Sequence, residues 1–172
     1  MLKRGLKALR RGVADRVGPE LLPEGSQVPE WMLQAHDGHW HKHNKKQWVV
    51  MAFYPGDDTP GCTRQLLDLQ AHYRELLKLG AQVYGVNPAE AESHRAFAEK
   101  VGLEFPLLTD RGGVVARNFR AAVQTPVKTL ILRTVYLVNP EGRIRLANRG
   151  APPAAALVRS IQALQQATRE GM

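Results

Sequence analysis

Apolar positions along the chain fall into short continuous blocks and longer stretches with helical spacing. Trp48, Val49, Val50, Met51, Ala52 and Phe53 form one such block, the pattern of a strand buried on both faces. Leu66, Leu69, Tyr73, Leu76 and Leu77 then recur at helical spacing up to Gly80, which predicts one helix closed by a left-handed glycine. Between block and helix, Pro55, Gly56, Pro60 and Gly61 turn the chain sharply. Residues 82–86 predict a second strand. Asn87-Pro88 reads as a helix start, asparagine capping and proline in the first helical position, with the helix running to Val101 and stopping at Gly102. Residues 105–108 predict another strand, residues 110–113 a turn, and residues 114–119 a short helix. Residues 130–138 predict a single apolar strand interrupted by Arg133. A turn at Asn139-Pro140-Glu141-Gly142 then sends residues 143–148 back alongside it. Pro152-Pro153 opens a last helix, with Leu157, Val158, Ile161 and Leu164 on one face.

Upstream of the block, residues 31–43 predict a hairpin around Asp37-Gly38. Before that, Leu2, Leu6, Leu9, Val13 and Val17 sit among cations at helical spacing, and residues 23–26 read as a linker. The order of elements argues for an α/β fold: a mixed central sheet with helices on both faces and an N-terminal β-hairpin. Residues 1–27 are expected to be a basic amphipathic helix and linker, and residues 28–172 the folded domain.

Composition narrows the function classes. At 172 residues, 44% hydrophobic and 23% charged, the chain suits one domain with a substantial core. No stretch resembles a membrane span. The net charge of +8 hints at an anionic partner, yet residues 1–17 carry six cations against Asp15, a net of +5. The charge is therefore a local feature of the N-terminal helix, read as resting on the domain, with neither a nucleic acid nor a membrane surface as partner. The single cysteine excludes an intramolecular disulfide, a Cys-x-x-Cys motif and a cysteine-rich zinc site. A lone thiol that must stay reduced suits a reducing, cytoplasmic compartment. His39, His41 and His43 alternate, so on a strand they would share one face and could share a metal. No cysteine or carboxylate completes a familiar ligand pattern there, and the expectation is an exposed hairpin without a metal centre.

Cys62 is placed by its neighbours at a helix N-terminus, where unpaired N–H groups and the helix dipole favour the thiolate form. Thiolate formation alone gains little rate, because a less basic sulfur is also a weaker nucleophile. A fast reaction also needs donors aimed at the charge developing on the substrate, each worth on the order of 3 kcal/mol. Thr59 is the nearest candidate, and a helix cap is its bland alternative. Arg133, a charge inside an apolar run, either reaches past the sheet edge to a carboxylate or lies over Cys62. His94, on the inner stripe of its helix, reads as packing at the core margin, and Gln65 as decorating the first turn.

Pro55-x-x-x-Thr59-x-x-Cys62 resembles the active-site signature of the peroxiredoxins (AhpC/TSA type), and Thr59-Pro60-Gly61-Cys62-Thr63-x-Gln65 is similar to the bacterioferritin comigratory protein (PrxQ) branch. The resemblance extends to Val28-Pro29-Glu30-Trp31-Met32-Leu33, to Phe105-Pro106-Leu107-Leu108-Thr109-Asp110 and to Arg133-Thr134-Val135-Tyr136-Leu137-Val138. In the last stretch the family's hydroxyl residue comes one place early, and Val135 stands in its usual position. The resemblance implies a thioredoxin-like fold and a thiol-dependent peroxidase reducing hydrogen peroxide or alkyl hydroperoxides through a sulfenic acid, without metal or other cofactor. It makes Cys62, Thr59 and Arg133 the catalytic residues, joined by the Cys62 backbone N–H, with Pro55 and Pro60 shaping the site and Arg117 and Arg120 as substitutes for Arg133. Many relatives carry a resolving cysteine five positions on, where this chain has Leu67. An external thiol, from thioredoxin, glutaredoxin or a small molecule, is then expected to regenerate Cys62, in a monomer or homodimer. The competing reading is a non-enzymatic thioredoxin-like redox sensor or binding module docked through its basic N-terminal helix.

Overall fold

The structure, a computed structural model, describes residues 18–171; the predicted helix over residues 1–17 lies outside them. The described residues form nine strands: β1 (Met32–Ala35), β2 (Trp40–Lys42), β3 (Trp48–Phe53), β4 (Ala81–Asn87), β5 (Leu107–Thr109), β6 (Ala122–Gln124), β7 (Thr129–Ile131), β8 (Thr134–Val138) and β9 (Ile144–Arg149). The helices are α1 (Pro60–Ala71), α2 (Tyr73–Lys78), α3 (Ala91–Val101), α4 (Val114–Asn118) and α5 (Ala154–Glu170). Seven strands form one sheet in the order β2-β1-β5-β4-β3-β8-β9. β3 and β4, and β4 and β5, run parallel, while β3–β8, β8–β9, β1–β5 and β1–β2 are antiparallel. This is the mixed sheet of a thioredoxin-like fold, and β6 and β7 pair separately.

β3 lies inside the sheet with all six residues buried, which is why its sequence shows no alternation. Its residues divide two cores. Val50 and Ala52 pack with Leu66 and Leu69 of α1, Leu76 of α2, Phe97 of α3 and Leu157 and Ile161 of α5. Val49, Met51 and Phe53 face the other way, toward Trp31, Tyr84, Val115 of α4, Phe119 and Tyr136. Residues 18–27 lie along this second side, where the Leu22 amide donates to the Tyr136 hydroxyl at 3.1 Å and Gly25 to the Ile144 carbonyl at 2.7 Å.

Three elements depart from the periodicity. The single helix expected up to Gly80 breaks at His72 (φ −109°, ψ 5°). Its ring donates to the Asp68 carbonyl at 3.1 Å, the oxygen a continuing helix would offer to the His72 amide, and that amide turns to Leu69 instead. The helix expected at Asn87-Pro88 begins only at Ala91. Asn87 stays in β4, its side-chain oxygen accepting from the Ala89 amide at 2.7 Å in a local turn. The strand expected over residues 130–138 is two strands, β7 in the small sheet and β8 in the large one, with Arg133 at the junction.

Candidate active site

The loop from Tyr54 to Thr59 carries the chain from the buried end of β3 to the start of α1. Thr59 has extended geometry (φ −99°, ψ 149°), caps α1 and accepts from the Cys62 amide at 3.4 Å, with Pro60 opening the helix. Cys62 thus sits in the first turn, as expected, and is 1% exposed within the cluster that holds Tyr54, Leu66 and Val135. Pro55 and Pro60 are both exposed. The burial of the sulfur comes with that apolar cluster and with Arg133.

Arg133 reaches the sulfur. Its Nη2 donates to Cys62 Sγ at 3.3 Å and its Nη1 to Gln65 Oε1 at 2.6 Å. Gln65, expected to decorate the helix surface, is instead 8% exposed and holds the guanidinium. The guanidinium passes close to Gly61, where a Cβ would make a tight 3.3 Å contact with Nη2. Of the two places a chain can reach from the β7–β8 junction, past the edge or over α1, the structure takes the second. Val135 belongs to the same apolar cluster as the sulfur, whereas Thr134, one place earlier, accepts from Arg149. Arg117 donates to the Gly112 carbonyl and Arg120 to the Glu20 carbonyl, so neither touches Cys62.

A second polar cluster lies beneath the loop, and periodicity gave no hint of it. Asp57 accepts from the Tyr54 hydroxyl at 2.6 Å, the Ser93 hydroxyl at 2.7 Å and the Asn87 amide at 3.1 Å, and faces His94 Nδ1 at 2.8 Å. His94 is fully buried, its other nitrogen facing the Leu108 carbonyl at 3.2 Å. Burial alone would raise the Asp57 carboxyl; hydrogen bonds from His94, Tyr54 and Ser93 outweigh it and hold the group at about 2. Burial and the adjacent Asp57 push the Tyr54 phenol well above its usual range, so it keeps its hydrogen. The neighbouring Asp58, in the left-handed region at φ 57°, pairs with Lys100 at 2.9 Å. Two consecutive carboxylates therefore tie the loop to α3. The signal was present in Asp57-Asp58 beside a histidine on a helix's apolar stripe, because a buried histidine needs partners.

The hairpin histidines act separately: His39 contacts Asp37, His41 the Tyr84 hydroxyl and His43 the Pro140 carbonyl. No group of three metal-ligating side chains occurs among the described residues, and no helix among them is long and apolar enough to cross a membrane.

The AhpC/TSA family pattern matches residues 25–147. Chloroplastic peroxiredoxin Q of Gentiana triflora is 33% identical over 147 residues, covering 84% of this chain and 67% of the relative. Peroxiredoxin Bcp of Xanthomonas campestris is 37% identical over 116 residues, 65% of this chain and 68% of the relative. A solved structure of the Xanthomonas campestris bacterioferritin comigratory protein, from work on its alkyl peroxide reduction activity, superposes with a TM-score of 0.70 at 29% identity, covering 84% of this chain and 98% of that one. With that match, those relatives and a buried cysteine under an arginine at the head of a helix, the chain belongs to the AhpC/TSA family as a thiol peroxidase similar to peroxiredoxin Q and Bcp, with Leu67 in place of a resolving cysteine.

Proposed function

We propose that the protein reduces hydrogen peroxide or alkyl hydroperoxides through Cys62 in a one-cysteine cycle, with Arg133 and Thr59 as the other catalytic residues. The observation that carries this reading is the 3.3 Å contact between Arg133 Nη2 and Cys62 Sγ. A cationic donor interacts more strongly with a sulfur anion than with a neutral thiol, and the N-terminus of α1 acts in the same sense. The thiolate attacks one oxygen of the hydroperoxide. The O–O bond breaks, its electron pair leaves with the second oxygen, and that oxygen takes a proton to become water or an alcohol. Cys62 is left as a sulfenic acid.

Charge builds on the departing oxygen, so donors placed there lower the barrier. Arg133 Nη2 is one. Thr59 is the other: its oxygen already accepts from the Cys62 amide, which leaves the hydroxyl hydrogen for the substrate. The Cys62 N–H, expected to contact peroxide, is engaged by that cap. Pro55 and Pro60 shape the loop by fixing backbone angles. The alkyl peroxide activity of the Xanthomonas relative supports including alkyl hydroperoxides among the substrates.

Regeneration requires two equivalents of external thiol. The first attacks the sulfenic sulfur, giving a mixed disulfide and water; the second releases Cys62 and carries away the disulfide. At 1% exposure the sulfur is reached by a protein thiol such as thioredoxin or glutaredoxin only when the first turn of α1 opens, whereas a small thiol needs a smaller opening. The cycle uses one chain, as monomer or homodimer, and suits a reducing compartment such as the cytoplasm. We assign this chemistry to residues 28–172, against which residues 18–27 pack.

Intact-mass measurement after one equivalent of peroxide tests the proposal. Cys62 should gain one oxygen, convert to a thiol adduct when thiol follows, and turn over with one of the three reductant classes. Folded protein that gains neither oxygen nor adduct would overturn it.

A further inference from the structure

Two of the hairpin histidines, His41 and His43, unused by the peroxide chemistry, line a cleft of about 1160 Å³ together with Trp31 and Tyr84, which pack on the opposite face of the sheet from Cys62. Tyr84 is one of its lining residues, with the Trp31 and His41 rings edge-on to it at centroid distances of 5.3 and 5.1 Å. Three buried ring nitrogens in this cleft lack a hydrogen-bond partner: Trp31 Nε1, His41 Nε2 and His43 Nδ1. Among the described residues only Gln65 Nε2 shares that condition. Trp31 itself is 7% exposed. Folded proteins rarely leave such atoms unpaired, and three of them on residues lining one cleft point to a ligand.

An indole nitrogen only donates. Burial lowers His41, keeping it neutral at neutral pH, and burial raises Tyr84 to about 12, so the phenol keeps its hydrogen. In the tautomer in which the phenol donates to His41 Nδ1, 3.2 Å away, the imidazole hydrogen sits on the unpartnered Nε2. Trp31 and, in that tautomer, His41 each carry an unpartnered N–H donor. Lys42 and Lys45 line the same cleft against the single carboxylate of Glu30. Met32 and Trp40, 61% and 62% exposed, supply apolar surface beside them.

We propose that this cleft binds an organic carboxylate with an apolar body, its oxygens accepting from Trp31 Nε1 and His41 Nε2 and its body reaching around the hairpin toward Met32 and Trp40, which line the cleft from the other face of β1 and β2. The two lysines add attraction for the anion. His43, whose Nε2 faces the Pro140 carbonyl, offers Nδ1 to a polar substituent on that body.

The test is a titration of the full-length, nitrogen-labelled protein with indole-3-acetate, benzoate and octanoate, using indole-3-acetamide and matched sodium chloride as controls. The Trp31 indole N–H resonance should move saturably with at least one carboxylate and with neither control. Trp31→Phe and His41→Phe keep a ring against Tyr84 and should each weaken binding about ten-fold, with peroxide reduction retained. Cys62→Ser should bind the carboxylate as the parent does. No saturable shift with any of the three acids, equal binding of the amide, or unchanged affinity in both ring variants would overturn the proposal. If one variant fails to fold, the other and the parent titration still decide.

Discussion

His94 Nδ1 lies 2.8 Å from the Asp57 carboxylate, with the His94 side chain 0% and that of Asp57 7% exposed, and this pair fastens the loop that precedes Cys62 to α3. The carboxylate also takes the Tyr54 and Ser93 hydroxyls. The geometry around Cys62 therefore depends on a cluster that never touches the sulfur.

That cluster has a pH signature. Asp57 titrates at about 2 in the folded chain against 3.8 for the free side chain. A depressed carboxylate contributes stability fully present above the unfolded value and lost as pH falls through the folded one. The window is therefore about pH 4 down to about pH 2, and the contribution is on the order of 2 kcal/mol. Denaturant unfolding across this window should show Asp57→Asn losing less stability per pH unit than the parent. Parallel slopes would remove the electrostatic role of the pair.

Gln65 is the only residue seen to hold the second arm of Arg133 among the described hydrogen bonds. Gln65→Leu removes that acceptor while keeping the side chain's bulk. The second-order rate of Cys62 oxidation should fall about ten-fold, the usual scale for losing a group that orients a reacting one. Gln65→Glu, which restores an acceptor, should recover most of it. Stopped-flow fluorescence with hydrogen peroxide reads both.

Gly61 separates stability from rate. Its φ is not in the left-handed region, so alanine is conformationally allowed, but the added Cβ would stand 3.3 Å from Arg133 Nη2. Gly61→Ala should hold or raise Tm, by up to about 1 kcal/mol of stability, while peroxide oxidation slows several-fold as the guanidinium is displaced. A thermal melt and a kinetic trace on one sample check both directions.

Thr59 caps α1 and, in the proposed mechanism, also donates to the substrate, two roles that two readouts distinguish. Thr59→Ser retains cap and hydroxyl and should be near neutral. Thr59→Val removes both, costing about 1 kcal/mol of stability from the lost cap together with a drop in the oxidation rate. Urea unfolding beside the kinetic assay tells the two losses apart.

The sequence pattern revealed some of this and concealed the rest for definite reasons. The buried block at residues 48–53 and the Pro/Gly turn before Cys62 were legible because burial on two faces and a sharp turn both leave compositional marks. The break at His72 was not, because it arises from a ring competing for one carbonyl, which apolar spacing does not record. The strand interruption at Arg133 looked like a costly charge within one strand; it is the joint between two strands of different sheets. Pairing partners are long-range, so the run of apolar letters continued across a boundary that only topology reveals. Asp57 and Gln65 were missed likewise: their partners lie 37 and 68 residues away.

The sharpest test concerns the guanidinium over the sulfur. In Arg133→Met the side chain keeps its length and loses its charge and donors, and the rate at which one equivalent of peroxide converts Cys62 to sulfenic acid is followed by stopped flow and confirmed by intact mass. The rate should drop by about a hundred-fold, the scale of losing one donor to the developing charge, with the fold intact by circular dichroism. A variant that oxidises Cys62 within two-fold of the parent rate would contradict the assignment of Arg133 to the chemistry.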